Sequence, residues 1–462
     1  MPELVRFAPS PTGELHIGNI RTALYNWFLA LRTGGRFLLR YDDTDTARSE
    51  ARFAAQIAAD LDWLGIVPHE VAHQSARLPH YDEAAERLRA ANLLYPCYET
   101  PDELERKRGR QRARGLPPVY DRAALALSAE ERAALEREGR VPHWRFKLPE
   151  GARHWDDLCR GPQTVNLGAL SDPVLVREDG TYLYTFTSVV DDAAFAVTTV
   201  VRGEDHVTNS GVQIALFEAL GAAAPAFAHH NLLTRADGEP LSKRDNPLSI
   251  RALAEAGYEP MAVASLAALV GTSHPVAPAA NLAELAETVM IADVSRGPAM
   301  FDPAELTRLN AAIVHALPAE AARASFDVGA HDAALFWETI RGNVAFRAEA
   351  ADWAARLVAE PAALLHGPDG PSFDLAERTL LATAAEQLRG LTWDDSTYKV
   401  WTSEVKAATG AKGKALFMPL RKALTGSEAG PELALWLRLL GREAAVARLE
   451  LAAQSAGGTA AP

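Results

Sequence analysis

Apolar positions near the start of the chain fall into two spacings. Leu4 to Phe7 is a short apolar run that predicts a strand. Ile20, Ala23, Leu24, Trp27, Phe28 and Leu31 recur at three- and four-residue intervals, the spacing of one helical face. Gly34–Gly35 then supplies a stop. RFLLRY (36–41) predicts a buried strand that runs into DDTD, and Phe53, Ala54, Ile57, Ala58, Leu61 and Leu64 predict a second amphipathic helix. Strand–helix–strand–helix is the pattern of a parallel α/β sheet. In such sheets ligands sit beyond the C-terminal strand ends. The loop after the first strand and the DDTD turn both occupy such ends, so they are expected to be neighbours.

From about residue 75 to 185 this rhythm breaks. The segment holds a basic stretch, ERKRGRQRARGLPP (105–118), a charged helical stretch (128–140) and strand-like pieces, HWRFKL (143–148) and PVLVRE (173–178). It reads as an α+β insertion between two halves of the sheet. The α/β pattern resumes with AVTTVVRGED (196–205), a β-branched strand and polar turn, and VQIALFEALG (212–221), a helix ended by glycine. Beyond about 310 the chain turns rich in Ala, Leu, Glu and Arg with helical periodicity, as in ERTLLATAAEQL (377–388) and ELALWLRLLG (432–441). That predicts an all-helical half, built as two small bundles. The expected parts are 1–74 and 186–235 for the two sheet halves, 75–185 for the insertion, 236–310 for a following region and 311–462 for the helices.

Composition adds limits. A length of 462 residues corresponds to about three domains. Hydrophobic residues at 48% and charged residues at 23% are ordinary for a globular chain. No stretch nears the ~20 continuous apolar residues of a membrane span, and the N-terminus, with Glu3 and no long apolar run, does not read as a secretory signal. Two cysteines, Cys97 and Cys159, argue against a disulfide framework and for a reducing, cytoplasmic setting. A net charge of −13 speaks against a generic nucleic-acid coat protein but leaves local basic surface open.

The loop RFAPSPTGELHIGN (6–19) crowds two prolines, two glycines and a histidine before a helix. Pro9 and Pro11 stiffen it. Gly13 permits positive φ, and Gly18 lets a ligand approach the helix start. N–H groups at a helix start attract anions, so the loop is a candidate phosphate cradle. A plain helix cap with a buried histidine is the other reading. HIGN (16–19) resembles the HIGH motif of class I aminoacyl-tRNA synthetases, and APSPTGELHIGN resembles their glutamyl/glutaminyl branch. LSKR (241–244) is similar to the KMSKS loop of that class, and RYDDTD (40–45) and VVRGEDH (200–206) are similar to the same branch. The tail ALFMPLRKALTGSEAGPEL (415–433) resembles the last helical segment of bacterial glutamyl-tRNA synthetases.

The resemblance implies a Rossmann-type catalytic domain, an insertion that binds the tRNA acceptor end, a stem-contact region at 236–310 and an anticodon-binding helical half. It implies ATP as a substrate with Mg²⁺ carried on it, L-glutamate and tRNA-Glu as the other partners, and a monomer. ATP would meet Thr12, His16, Gly18, Asn19, Ser242, Lys243 and Arg244, with His16 and Lys243 the catalytic pair. Glutamate would meet Arg6, Ser10, Asp42, Tyr184, Ser188, Arg202 and His206. Arg6 and Arg202 would take its side-chain carboxylate, which suits the forked guanidinium, and Asp42 its ammonium. An internal ion-pair turn is the competing reading of Arg202–Asp205. Asp43 and Asp45 read as caps of the next helix, with Mg²⁺ binding by DDTD the weaker alternative.

Departures from the family pattern fall at Pro240, where relatives often carry lysine, at Asp42, where many carry glutamate, and at His206, where many carry tryptophan. Relatives that hold zinc use a Cys-x-Cys pair and later ligands. Here the pair reads Cys97-Tyr98-Glu99 with no suitable partners following, so no zinc is expected. The six basic residues of 106–115 read either as a solvated face or as a grip on tRNA phosphates. A glutaminyl enzyme of the same branch and a non-catalytic tRNA-binding relative remain alternatives.

Overall fold

The computed structural model describes residues 2–45, 49–235, 238, 249–368 and 370–455. Strand β1 (Leu4–Phe7) leads through the proline loop into α1 (Ile17–Thr33), which Gly34 ends in a left-handed conformation, φ 59°. Gly35 is fixed by space: a Cβ there would lie 2.1 Å from the Glu3 carbonyl oxygen. Then follow β2 (Arg36–Tyr41), α2 (Ala51–Trp63), β3 (Glu70–His73) and α3 (Leu78–Ala90).

The insertion is α+β. It holds β4 (Leu94–Cys97), α4 (Pro101–Ala113), α5 (Ala129–Arg137), β5 (His143–Phe146), the hairpin β6 (Ala152–Asp157) and β7 (Gly161–Asn166), and β8 (Val174–Val176). Strands β4, β5 and β8 pair antiparallel. The basic run lies on α4, a helix with no buried residue. Lys107 pairs with Glu99 and Asp121, and Arg108 and Arg112 pair with Glu105.

The sheet resumes with α6 (Tyr184–Ala194), β9 (Thr199–Gly203), α7 (Val207–Ala219) and β10 (Ala226–His230). Its order is β10-β9-β1-β2-β3, every neighbouring pair parallel. The predicted Rossmann-type sheet is therefore present, with β1 at its centre. The short β11 (Leu233–Thr234), α8 (Ile250–Glu255), α9 (Pro260–Leu269) and β12 (Ala299–Met300) complete this part, and β11 pairs parallel with β12.

The chain divides into two compact units, Met1–Ala256 with Pro260–Leu306, and Gly257–Glu259 with Thr307–Pro462. The second is helical, as the composition predicts. Buried side chains from Val314 to Ala452 form one hydrophobic cluster. Trp337, Trp401 and Trp436 are buried within it, and each donates its indole N–H to a backbone carbonyl.

Candidate active site

A crevice of about 850 Å³ opens at the C-terminal ends of β1, β2 and β9. Its walls include Arg6, Ser10, Thr12, His16, Gly18, Asn19, Asp42, Tyr184, Arg202 and His206. The sequence-predicted residues from the proline loop, the DDTD turn and the VVRGEDH strand thus converge there. Ser188 does not line it: that side chain is fully buried and its Oγ accepts from Arg40 at 3.2 Å. Ser242, Lys243, Arg244 and the departure at Pro240 lie outside the described residues.

The loop and helix start form one wall. His16 is the N-cap of α1: its Nδ1 accepts from the Gly18 N–H at 3.1 Å, and its own N–H donates to Asn19 Oδ1 at 3.1 Å. An accepting Nδ1 assigns the proton of the neutral ring to Nε2. His16 is therefore both a cap and a crevice residue, and it is half-buried rather than buried. Two glycine expectations change. Gly13 is not at positive φ. A Cβ on Gly18 would sit 2.9 Å from the His16 ring, so that glycine makes room for the imidazole. On the same side, Ser249 bridges to His16, and the Ile250 N–H donates to the Leu15 carbonyl at 2.9 Å.

A buried charge cluster supports the floor. Arg40, fully buried, donates to Asp42 at 2.8 Å and to Asp192 at 2.7 Å, and lies 3.7 Å from Asp191. Burial opposes the Arg40 charge, but Asp42 and Asp192 outweigh it and hold its pKa well above the usual value. Burial raises the Asp42 pKa, with Arg40 pulling the other way. Arg6 shares Asp192 at 3.3 Å, while Arg77, Gln74 and Tyr81 satisfy Asp191. Asp42, assigned from the sequence to an ammonium, is thus already engaged by Arg40, with one oxygen held only at 3.4 Å. Asp43 does not cap α2. It accepts from the Ser75 N–H at 2.7 Å and the Ser75 hydroxyl at 2.9 Å, tying the turn to the end of β3.

Arg202 differs from Arg40 in one respect. Its guanidinium, 5% exposed, donates to Tyr184 Oη at 2.9 Å, Ser210 Oγ at 2.6 Å, Gln213 Oε1 at 2.7 Å and, at 3.5 Å, His229 Nε2. Every one of these partners is neutral, and among the described residues no carboxylate lies within ion-pair distance of Arg202. The expected alternative, an internal ion-pair turn, is not what forms: Glu204 pairs with Arg160 instead. Burial and the nearby Arg202 charge push the His206 pKa below its usual value, so the ring is neutral near pH 7. Sequence reasoning missed Arg40, Asp191, Asp192, Ser210, Gln213 and His229. The adjacent acids of SVVDDAAF (188–195) were the available signal, since two carboxylates in an apolar helix require buried cations.

In the insertion, Tyr120 donates its hydroxyl to Glu99 at 3.0 Å and contacts Cys97 Sγ at 3.6 Å. Burial pushes the Cys97 thiol up to about 11. No helix among the described residues is long and apolar enough to cross a membrane.

Residues 4–308 match the family model described as "tRNA synthetases class I (E and Q), catalytic domain", and residues 348–453 match the "Anticodon binding domain" model. The chain is 60% identical over 449 residues to "Glutamate--tRNA ligase 2" of Methylorubrum populi, covering 96% of this chain and 98% of that one. It is 59% identical over 452 residues to the protein of the same name in a Methylobacterium species, with 97% and 99% covered. Among solved structures it resembles a glutamate tRNA ligase from Elizabethkingia meningosepticum in complex with its amino acid. There the TM-score is 0.83 at 26% identity, with 98% of this chain and 100% of that one covered.

Proposed function

The chain belongs to the class I tRNA synthetases of the glutamate and glutamine branch and works as a glutamate–tRNA ligase, and from that premise we propose how its crevice divides the work. Glutamate attacks the α-phosphate of ATP through its α-carboxylate, giving glutamyl-adenylate and pyrophosphate. The terminal ribose hydroxyl of tRNA-Glu then takes the acyl group and AMP leaves. Neither step needs a covalent enzyme intermediate, so catalysis is positioning and charge stabilisation.

Arg202 carries the assignment of the amino acid. A buried cation with only neutral partners at a crevice wall favours an anionic ligand. Glutamate's side-chain carboxylate supplies that charge, whereas glutamine would leave the cation unneutralised. Arg6 stands on the neighbouring strand as the second guanidinium. The more loosely held oxygen of Asp42 takes the ammonium. Ser10, Tyr184 and His206 shape the pocket, and Ser188 acts through Arg40. Thr12, His16, Gly18 and Asn19 form the ATP wall, with the Nε2–H of His16 donating to phosphate oxygens.

Ser242, Lys243 and Arg244 complete the ATP site in this reading. Support comes from their flanks, since Leu233 and Ser249 both line the crevice. Lys243 offsets the charge that builds on the α-phosphate. Lys243→Ala is expected to slow glutamate-dependent ATP–pyrophosphate exchange by about 10²-fold with little change in glutamate affinity. A variant within a few-fold of the parent would remove the role. Mg²⁺ enters on the nucleotide phosphates, and among the described residues no three His, Cys, Asp or Glu side chains stand together to hold a metal.

The helical unit reads the anticodon, and the insertion, with α4, approaches the acceptor end as the protein works as a monomer in the cytoplasm. Exchange driven by glutamate and not by glutamine, measured with and without tRNA, tests the amino-acid assignment. Charging of tRNA-Glu and tRNA-Gln transcripts tests the nucleic-acid partner. Exchange under no condition would leave only a binding protein.

A further inference from the structure

Arg202 is held by a relay that begins in the insertion. Asp157 ends β6, the first strand of the inserted hairpin, and is buried. Its Oδ1 accepts three backbone N–H groups, from Cys159, Arg160 and His229, each at 3.0 Å. Its Oδ2 makes a short contact to Nδ1 of His229, a fully buried ring on β10. The other ring nitrogen, Nε2, lies 2.8 Å from Ser210 Oγ and 3.5 Å from Nε of Arg202. The hairpin also seats on the helix that carries Ser210 and Gln213. A Cβ on Gly211 of α7 would lie 2.6 Å from Cβ of Val165 on β7, and Arg153 pairs with Glu218.

We propose that Asp157 is a specificity-determining positioning residue: it fixes His229 as the Nδ1–H tautomer, so that Nε2 stays an acceptor and holds the Arg202 guanidinium toward the crevice. This rests on Arg202 as the glutamate-recognising residue. An ionised carboxylate can only accept, so the proton between the two sits on Nδ1. The bare Nε2 then faces two donors, the Ser210 hydroxyl and the Arg202 Nε–H. Burial lowers the His229 pKa, which keeps the ring neutral. The inserted hairpin thereby becomes part of the amino-acid selecting apparatus.

Asp157→Asn separates tautomer control from packing. Its amide oxygen must stay on the three backbone N–H groups, which leaves its NH₂ to donate to Nδ1. The ring proton is then driven to Nε2, against the two donors there. The expected result is a rise of about tenfold or more in KM for glutamate, an equal loss of preference over glutamine, and KM for ATP within twofold of the parent. His229→Gln offers an amide oxygen near the Nε2 position whatever stands at 157. It should keep most of the preference, and D157N/H229Q should match H229Q. A double variant as poor as D157N alone overturns the relay. So does D157N with unchanged preference, provided Arg202→Ala loses it. If Arg202→Ala itself keeps the preference, the reading of Arg202 falls and the relay with it. Should D157N not fold, ¹⁵N-histidine spectra of the parent protein decide: a His229 proton on Nδ1 supports the proposal, and one on Nε2 overturns it.

Discussion

Arg202→Ala is expected to lower kcat/KM for glutamate by about 10²- to 10³-fold in ATP–pyrophosphate exchange, and to erase the preference for glutamate over glutamine. Two effects add. The substrate carboxylate loses a forked, charge-assisted partner in a crevice wall that is 95% or more shielded at this position. The groups that held the guanidinium, Ser210, Gln213 and His229, are left buried without their donor. Glutamine loses less, because its neutral amide never drew on the charge. The two substrates should therefore converge, with glutamate falling toward glutamine. Measuring both exchange rates in one preparation gives the ratio directly. A ratio unchanged from the parent would make Arg202 a structural residue and move recognition of the anion to Arg6.

Arg40→Ala is expected to cost about 3–5 kcal/mol of stability, the largest structural effect at the site. Arg40 is shared by Asp42, Asp191 and Asp192 inside the fold. Asp191 retains Arg77 and Asp192 retains Arg6, but Asp42 loses the cation that offsets its burial. Adding Asp42→Asn to Arg40→Ala should therefore recover part of the loss, and a double-mutant cycle measures that coupling. Denaturant unfolding, followed by a probe in the sheet-bearing unit, is the appropriate measurement, since two units need not melt together. A single variant within about 1 kcal/mol of the parent would contradict the claim that the cluster depends on this guanidinium.

The elements that were legible in the sequence are those whose apolar spacing is unbroken. Leu4–Phe7, Arg36–Tyr41 and the face of α1 all fall where the pattern puts them. Strand β3 was not legible, because Glu-Val-Ala-His at a sheet edge is half-exposed and carries two polar side chains. Strand β10 was missed for the opposite reason: His229 and His230 are buried by partners far off in sequence, so they look like surface residues until those partners are known. The site shows the same division. Local motifs identify the crevice walls, but not which cations already have counter-charges. Arg40 meets Asp192 across 152 positions and His229 meets Asp157 across 72, and no local spacing encodes such pairs. Asp43 was misread because its donors, the Ser75 N–H and hydroxyl, stand just past β3, a strand the pattern did not reveal.

Thr234 and Ile250 are each held in place, the first by β11 pairing with β12 and the second by its bond to Leu15. A substitution that breaks either contact would therefore loosen the crevice wall at Leu233 or Ser249 while leaving the five-stranded sheet paired.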